Sequence, residues 1–267
     1  KPIAVIITSV PRESFNSAPA KGKNTKQNAS LKSDEALAVH TLIDWVKKIT
    51  DVELQIADKG VEGVPTIYIG QAAIKAGLDL DKVVSPSKEG LRIVADGKRL
   101  LIAGQNEAAT LKAVCRFLEE LGCRYLMDGP LGEVFPRATT LNIGLMDITE
   151  KPGLRWRNPK GPSWNARLWK AWNGAGGEPF GHSHSWNNYV SPKEFSKNPE
   201  FFAMGSDGQR KAGGWICTSN PELREHFALN VLAAIERGSR NPSLSPTDGR
   251  GYCQCAPCKA QDDPKSL

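Results

Sequence analysis

The stretch "GLRIVADGKRLLIAGQNEAATLKAVCRFLEELG", residues 90–122, decides how the N-terminal part of the chain folds. Two apolar runs meet at Asp96-Gly97, a dipeptide that fits a tight turn whose backbone needs positive φ. The pattern predicts a hairpin ending at Gly104. Asn106 then stands where a helix needs a side-chain acceptor for its first free amides. Leu111, Val114, Cys115, Leu118 and Leu121 recur at helical spacing, and Gly122 supplies a stop. A hairpin running straight into an amphipathic helix sets the class as α/β.

The flanking sequence extends this reading in both directions. "IAVIIT" (3–8) predicts a buried strand, followed by the long polar loop "PRESFNSAPAKGKNTKQNAS". Ser33 caps a second helix, with Asp34 and Glu35 at its positive end and Val39, Leu42, Ile43, Val46 and Ile49 on its apolar face. "VELQIA" and "PTIYIG" read as strands. "CRYLM", "EVFP" and "TLNIG" are expected to complete a mixed sheet under the two helices. Composition shifts near "ITEKPGL" (148–154), which divides the chain into a small mixed-sheet domain, 1–149, and a second domain, 150–267. In the second, short extended segments alternate with loops. Asn220-Pro221 opens a helix with apolar Leu223, Phe227, Val231 and Ile235, closed by Gly238. That alternation reads as the first half of a (β/α)8 barrel. The chain stops at "DDPKSL" without a closing element, as expected of a piece of a longer protein.

Composition excludes several classes. The 267 residues are 40% hydrophobic and 24% charged, which suits a folded domain with a real core. Lys plus Arg less Asp plus Glu gives 35 − 29 = +6, much of it in loop-like stretches. No basic stripe or aromatic-studded sheet accompanies the charge, so nucleic acid is not an expected partner. No apolar run approaches the ~18 residues of a membrane span, and no signal peptide is visible within the chain.

The densest chemistry is "TDGRGYCQCAPCK", 247–259. Cys253, Cys255 and Cys258 offer three close thiolates, and Cys217 on a preceding strand could be a fourth. Four thiolates suit a structural zinc, while disulfides are equally open. Either way the cysteines are expected to brace a loop, with no cofactor required for chemistry. Cys115 reads as a core residue that Cys123 could pair with. His182 and His184 alternate in "GHSHSW", which places both on one side of an extended segment. His40 and His226 fall on the polar sides of helices. Six of the seven tryptophans lie between Trp156 and Trp215. Indole faces stack on sugar C–H faces, and Trp164, Trp169, Trp172 and Trp186, set among Gly, Asn and Ser, read as exposed platforms. Arg155 and Arg157 alternate around Trp156. One of them could bind an acidic sugar or form an ion pair within the scaffold.

These pieces also resemble known proteins. "PTIYIGQAA", "EGLRIVADGKRLLIAG" and "EAATLKAVCRFLEELGCRYLMDGPLGEVFP" are similar to the small domain that precedes the barrel in β-N-acetylhexosaminidases and α-glucuronidases. "LRWRN", "HSHSWNNYVSPKEFSKNPEFFAM", "ICTSNPE" and "TDGRGYCQCAPCK" resemble a family of secreted bacterial proteins classed with the glycoside hydrolases, whose barrel domain has no assigned function. The resemblance implies a secreted or periplasmic glycosidase acting on a polysaccharide or glycoconjugate. If "PSLSPTD" is barrel strand four, Asp248 ends it, where barrel active sites form. Asp248 is then the expected catalytic acid or base, with a second carboxylate beyond Leu267. Gly249 stands where hexosaminidases carry a Glu, which departs from their Asp-Glu pair. The expected sugar contacts are His182, His184, Trp186, Arg157, Trp215 and Tyr252. The alternatives are a carbohydrate-binding protein without turnover and a structural metalloprotein built on the cysteines.

Overall fold

The computed structural model describes residues 4–15, 31, 33–159, 166–177 and 183–263. His182, Trp164 and most of the long polar loop lie outside the described residues. The chain divides into two compact units, Lys1–Glu178 and Pro179–Leu267.

In the first unit, β1 (Val5–Thr8) leads to α1 (Asp34–Thr50), β2 (Gln55–Ile56), β3 (Thr66–Ile69) and a short α2 (Gln71–Lys75). The hairpin β4 (Leu91–Ala95) and β5 (Arg99–Gly104) follows, then α3 (Glu107–Glu120). The two-residue strands β6 (Arg124–Tyr125) and β7 (Glu133–Val134) pair with each other, and β8 (Met146–Glu150) comes next. Last are β9 (Trp156–Arg157), α4 (Arg167–Trp172) and β10 (Gly176–Gly177), with β9 and β10 antiparallel.

A six-stranded mixed sheet runs in the order β2-β1-β3-β5-β4-β8. Its first four strands are parallel, and β4 is antiparallel to both β5 and β8. Period-two alternation explains why β5 sits inside. Leu100 and Ile102 join the core under α1 and α3, while Leu101 and Ala103 join a smaller cluster with Ala73 and Leu78 on the opposite face. A strand buried on both faces reads as a continuous apolar run, which "LLIA" is.

The expected helices form with the expected caps. The Ser33 side chain accepts from the Ala36 amide and Asn106 accepts from the Ala109 amide. Gly122 takes φ +88° just past α3, the left-handed conformation that suits a helix stop. Cys115 and Cys123 are both buried in the main core as free thiols, not a disulfide.

Three local expectations are corrected. The hairpin turn is centred on Gly97-Lys98 rather than Asp96-Gly97: Asp96 and Arg99 pair across it, and Gly97 alone takes positive φ. Asp96 instead caps the turn, its carboxylate accepting from the Lys98 and Arg99 amides. "CRYLM" and "EVFP" form a ribbon of their own outside the main sheet, and the final strand is β8 rather than "TLNIG". In β8, Met146 and Ile148 pack toward the core while Asp147 clasps Arg92 with both oxygens. The division between units falls after Glu178 rather than at 149/150. The intervening α4 packs Leu168, Ala171 and Trp172 into the first core, with the Trp172 ring 4.6 Å from Trp45.

The second unit contains the short α5 (Trp186–Tyr189), 3-10 turns at Pro192–Ser196 and Pro199–Phe201, α6 (Pro221–Glu236) and α7 (Ala256–Lys259). Between them the extended segments meet only as single bridges among the described residues. These are His184 with Ser245, parallel, and Phe202 with Ile216 and Met204 with Arg210, antiparallel. A compact core gathers Val190, Phe201, Phe202, Ile216 and Leu223 around the four cysteines. His226 is not the inert surface residue its helix position implied. Its Nε2 lies 2.9 Å from Glu194, and its ring stacks on Phe201. No helix among the described residues is long and apolar enough to cross a membrane.

Candidate functional site

The site in the second unit is built from two extended segments zipped by serines. The Ser185 amide donates to the Ser245 carbonyl, and the Ser185 hydroxyl donates to the Ser243 carbonyl at 2.6 Å. The Ser243 hydroxyl donates in turn to the Ser183 carbonyl. Trp186 closes the zipper by donating its indole N–H to the Leu244 carbonyl. This fixes the histidine segment against 243–246 and aims His184 along the chain toward Asp248.

His184 is held at both ring nitrogens. Nδ1 lies 2.5 Å from the Pro246 carbonyl, which can only accept, and Nε2 lies 2.9 Å from Asp248 Oδ2. Two acceptors favour the doubly protonated ring. The Pro246 carbonyl, then the Asp248 charge, raise the histidine above its ordinary value. The pair opens to solvent: the Asp248 side chain is 90% exposed and His184 54%. A substrate could therefore reach the carboxylate directly.

Aromatic rings flank the same segments. Trp186 meets Trp215 edge-on at 5.8 Å, and Trp215 meets Tyr252 at 4.6 Å. Gly251 allows that stack, since a Cβ there would come 2.3 Å from Trp215 Cδ1. Tyr252 is 65% exposed and can offer a ring face. Trp169 and Trp172, expected as platforms, instead belong to the first unit. Trp172 is buried and Trp169 donates to the Leu126 carbonyl.

Immediately after Tyr252 the chain enters the cysteine cluster. The sulfurs of Cys217, Cys253, Cys255 and Cys258 all lie within 4.8 Å of one another, and all four residues are buried. Cys217 Sγ is 3.6 Å from Cys255 Sγ and 3.8 Å from Cys258 Sγ. A disulfide needs about 2.05 Å, and all six cysteines are free thiols. Tetrahedral zinc with Zn–S near 2.3 Å sets its sulfurs about 3.8 Å apart, so the donor set fits that ion. Polar groups surround the sulfurs. The Met204 amide donates to Cys253, and the Ser219 hydroxyl sits beside Cys217, Cys255 and Cys258. Burial opposes the Cys255 thiolate, but the Cys258 amide and Ser219 outweigh it and lower this thiol, whereas burial raises Cys253.

The structure thus brings together His184, Trp186, Trp215, Asp248 and Tyr252, next to the four cysteines. Arg157 belongs to the first unit, where it donates to Glu89, to the Leu154 carbonyl and to the Gly174 carbonyl. The sequence reading missed Ser185, Ser243 and Ser219. A run of serines carries no signal of its own until the segments it joins are known to be adjacent.

Among curated proteins none matches the chain. Residues 127–266 match a family profile described as Domain of unknown function (DUF4838), a span that takes in the whole second-unit site. The match covers more than half of the chain, which therefore belongs to that family.

Proposed function

We propose that the second unit carries part of a carbohydrate site and that the protein is a glycoside hydrolase of the secreted bacterial type, acting on a polysaccharide or glycoconjugate. In this reading the second unit belongs to the first half of a (β/α)8 barrel. Extended segments alternating with α5, α6 and α7 support it, as does the parallel bridge between His184 and Ser245. Asp248 handles the proton at the glycosidic oxygen or at the attacking water, as one of the two carboxyl groups such chemistry uses. His184 holds that carboxylate in place and presents a proton of its own. Tyr252 and the indole rings receive the C–H faces of the sugar. The single observation that carries the reading is the contact of an exposed carboxylate with a histidine beside three aromatic rings packed edge to face.

The test is sugar release from a polysaccharide panel by the full-length protein and by Asp248→Asn. The variant is expected to lose about 100-fold or more of the activity, the scale of acid–base catalysis. Equal release by both would remove Asp248 from the chemistry. Retained binding with no turnover in either would favour a carbohydrate-binding protein.

A second, compatible reading is favoured by the sulfur geometry: the four cysteines hold a structural zinc that stiffens the loop carrying Asp248 and Tyr252. Purified protein is expected to contain about one zinc per chain, and Cys255→Ser or Cys258→Ser to lose it, as measured by elemental mass spectrometry. A strong chelator is expected to lower the thermal transition of the wild type. Metal-free protein with unchanged stability would refute this.

A further inference from the structure

The first unit leaves a pocket of about 240 Å³ between α1, α3, the turn of the hairpin and the extended segment 139–143. Leu42, Val46, Leu54, Ile67, Leu100 and Phe117 line it and are buried members of the main core. Lys98, Thr139 and Thr140 are exposed and form its rim. Native cores carry few voids larger than a water molecule, because the atoms around a void lose their dispersion contacts. A cavity of about 150 Å³ walled by Leu, Ile and Phe stays dry and takes up benzene. Water finds equally little here. The Thr50 and Thr66 hydroxyls in the lining donate to the Val46 and Val64 carbonyls. A larger pocket with such walls therefore suits an apolar guest.

The cover of the pocket is loosely tied. The backbone of 139–143 makes no hydrogen bond to the backbone of another described residue, although the segment leads directly into β8. Leu141 and Ile143 hold it by packing on the core. A segment with so few backbone hydrogen bonds opens locally at low cost, which gives a guest its way in. The rim decides the head group. Arg99 turns to Asp96 and to the Ala76 carbonyl. Asp96, the acid next to Lys98 in sequence, is engaged by Arg99 and by two backbone amides. The Lys98 ammonium is thus left without an ion pair among the described residues. We propose that this pocket binds a small amphiphile, a short alkyl carboxylate, with its chain against Leu42, Val46 and Phe117 and its head at Lys98. The site involves neither Asp248 nor the cysteines, and it does not depend on hydrolysis.

The experiment is a methyl NMR titration of full-length protein, ¹³C-labelled at the isoleucine δ1 methyls, with octanoate, 1-octanol and octylamine below their micelle-forming concentrations. The Ile143 methyl is identified by its loss in Ile143→Val. Octanoate is expected to move that resonance saturably and to bind more tightly than 1-octanol, with octylamine weakest. Lys98→Glu should bind octanoate about 10-fold more weakly, since it replaces a charge-assisted contact by repulsion, and should bind 1-octanol as before. Asp248→Asn should leave all three unchanged. The proposal is overturned if none of the three shifts the Ile143 methyl saturably, which is the result expected of a pocket holding only water. It is equally overturned if Lys98→Glu binds octanoate as tightly as the wild type. Should that variant fail to fold, the wild type decides: octylamine binding as tightly as octanoate would overturn the proposal.

Discussion

His184 faces a carbonyl on one side and a carboxylate on the other, and neither can donate to it. The folded chain therefore favours the charged ring. In the pH titration of its ring protons by NMR, His184 is expected to show a midpoint above its ordinary value of 6.5. Asp248→Asn should bring that midpoint down only part of the way, because the Pro246 carbonyl remains. The sign for stability follows from linkage: the raised value adds stability that is complete below the unfolded value and is lost as pH rises through the folded one. A midpoint at or below 6.5 would dissolve the pair. At this scale the sequence was informative where chemistry is concentrated in few residue types. The cysteine spacing marked a segment whose sulfurs gather with Cys217 in the fold. The sequence was uninformative for Glu89 and Trp172. Glu89 sits in an ordinary polar loop, and Trp172 stands among Asn and Gly, composition that resembles exposed surface until α4 packs it onto Trp45.

Elements were more legible than single residues, because caps and periodicity are local. Three helices begin on side chains that a reader of the sequence could name: Ser33, Asn106 and Asn220, each accepting from an amide in the first turn. Asn106→Ala is expected to cost about 1 kcal/mol, read as a lower denaturant midpoint with an unchanged slope. No change in midpoint would mean that the α3 start is held by its packing alone. Periodicity says that a helix forms, yet not what covers it. In α6 the expected stripe of Leu223, Phe227, Val231 and Ile235 is buried only at Leu223, while Leu229, Leu232 and Ile235 lie open. The hairpin shows the same limit on a smaller scale. Asp-Gly marks the turn correctly, but whether Asp enters it or caps it depends on a one-residue register that local sequence leaves free.

For the whole molecule, the α/β class was readable and the strand order was not. Nothing local tells β3 to lie between β1 and β5, or β8 to join β4 across the length of α3 and the β6–β7 ribbon. Those choices are made by long-range burial, as is the late division between the units. The cysteines carry a topological consequence of the same kind. Cys217 and Cys255 are 38 positions apart, and all of α6 lies between them. An ion that gathers the four sulfurs would tie the chain into a ring with that helix inside. Closing a ring of this length removes roughly 4 kcal/mol of disorder from the unfolded chain. A helix whose own packing buries only Leu223 would then be held chiefly by the tie between the segments at its two ends.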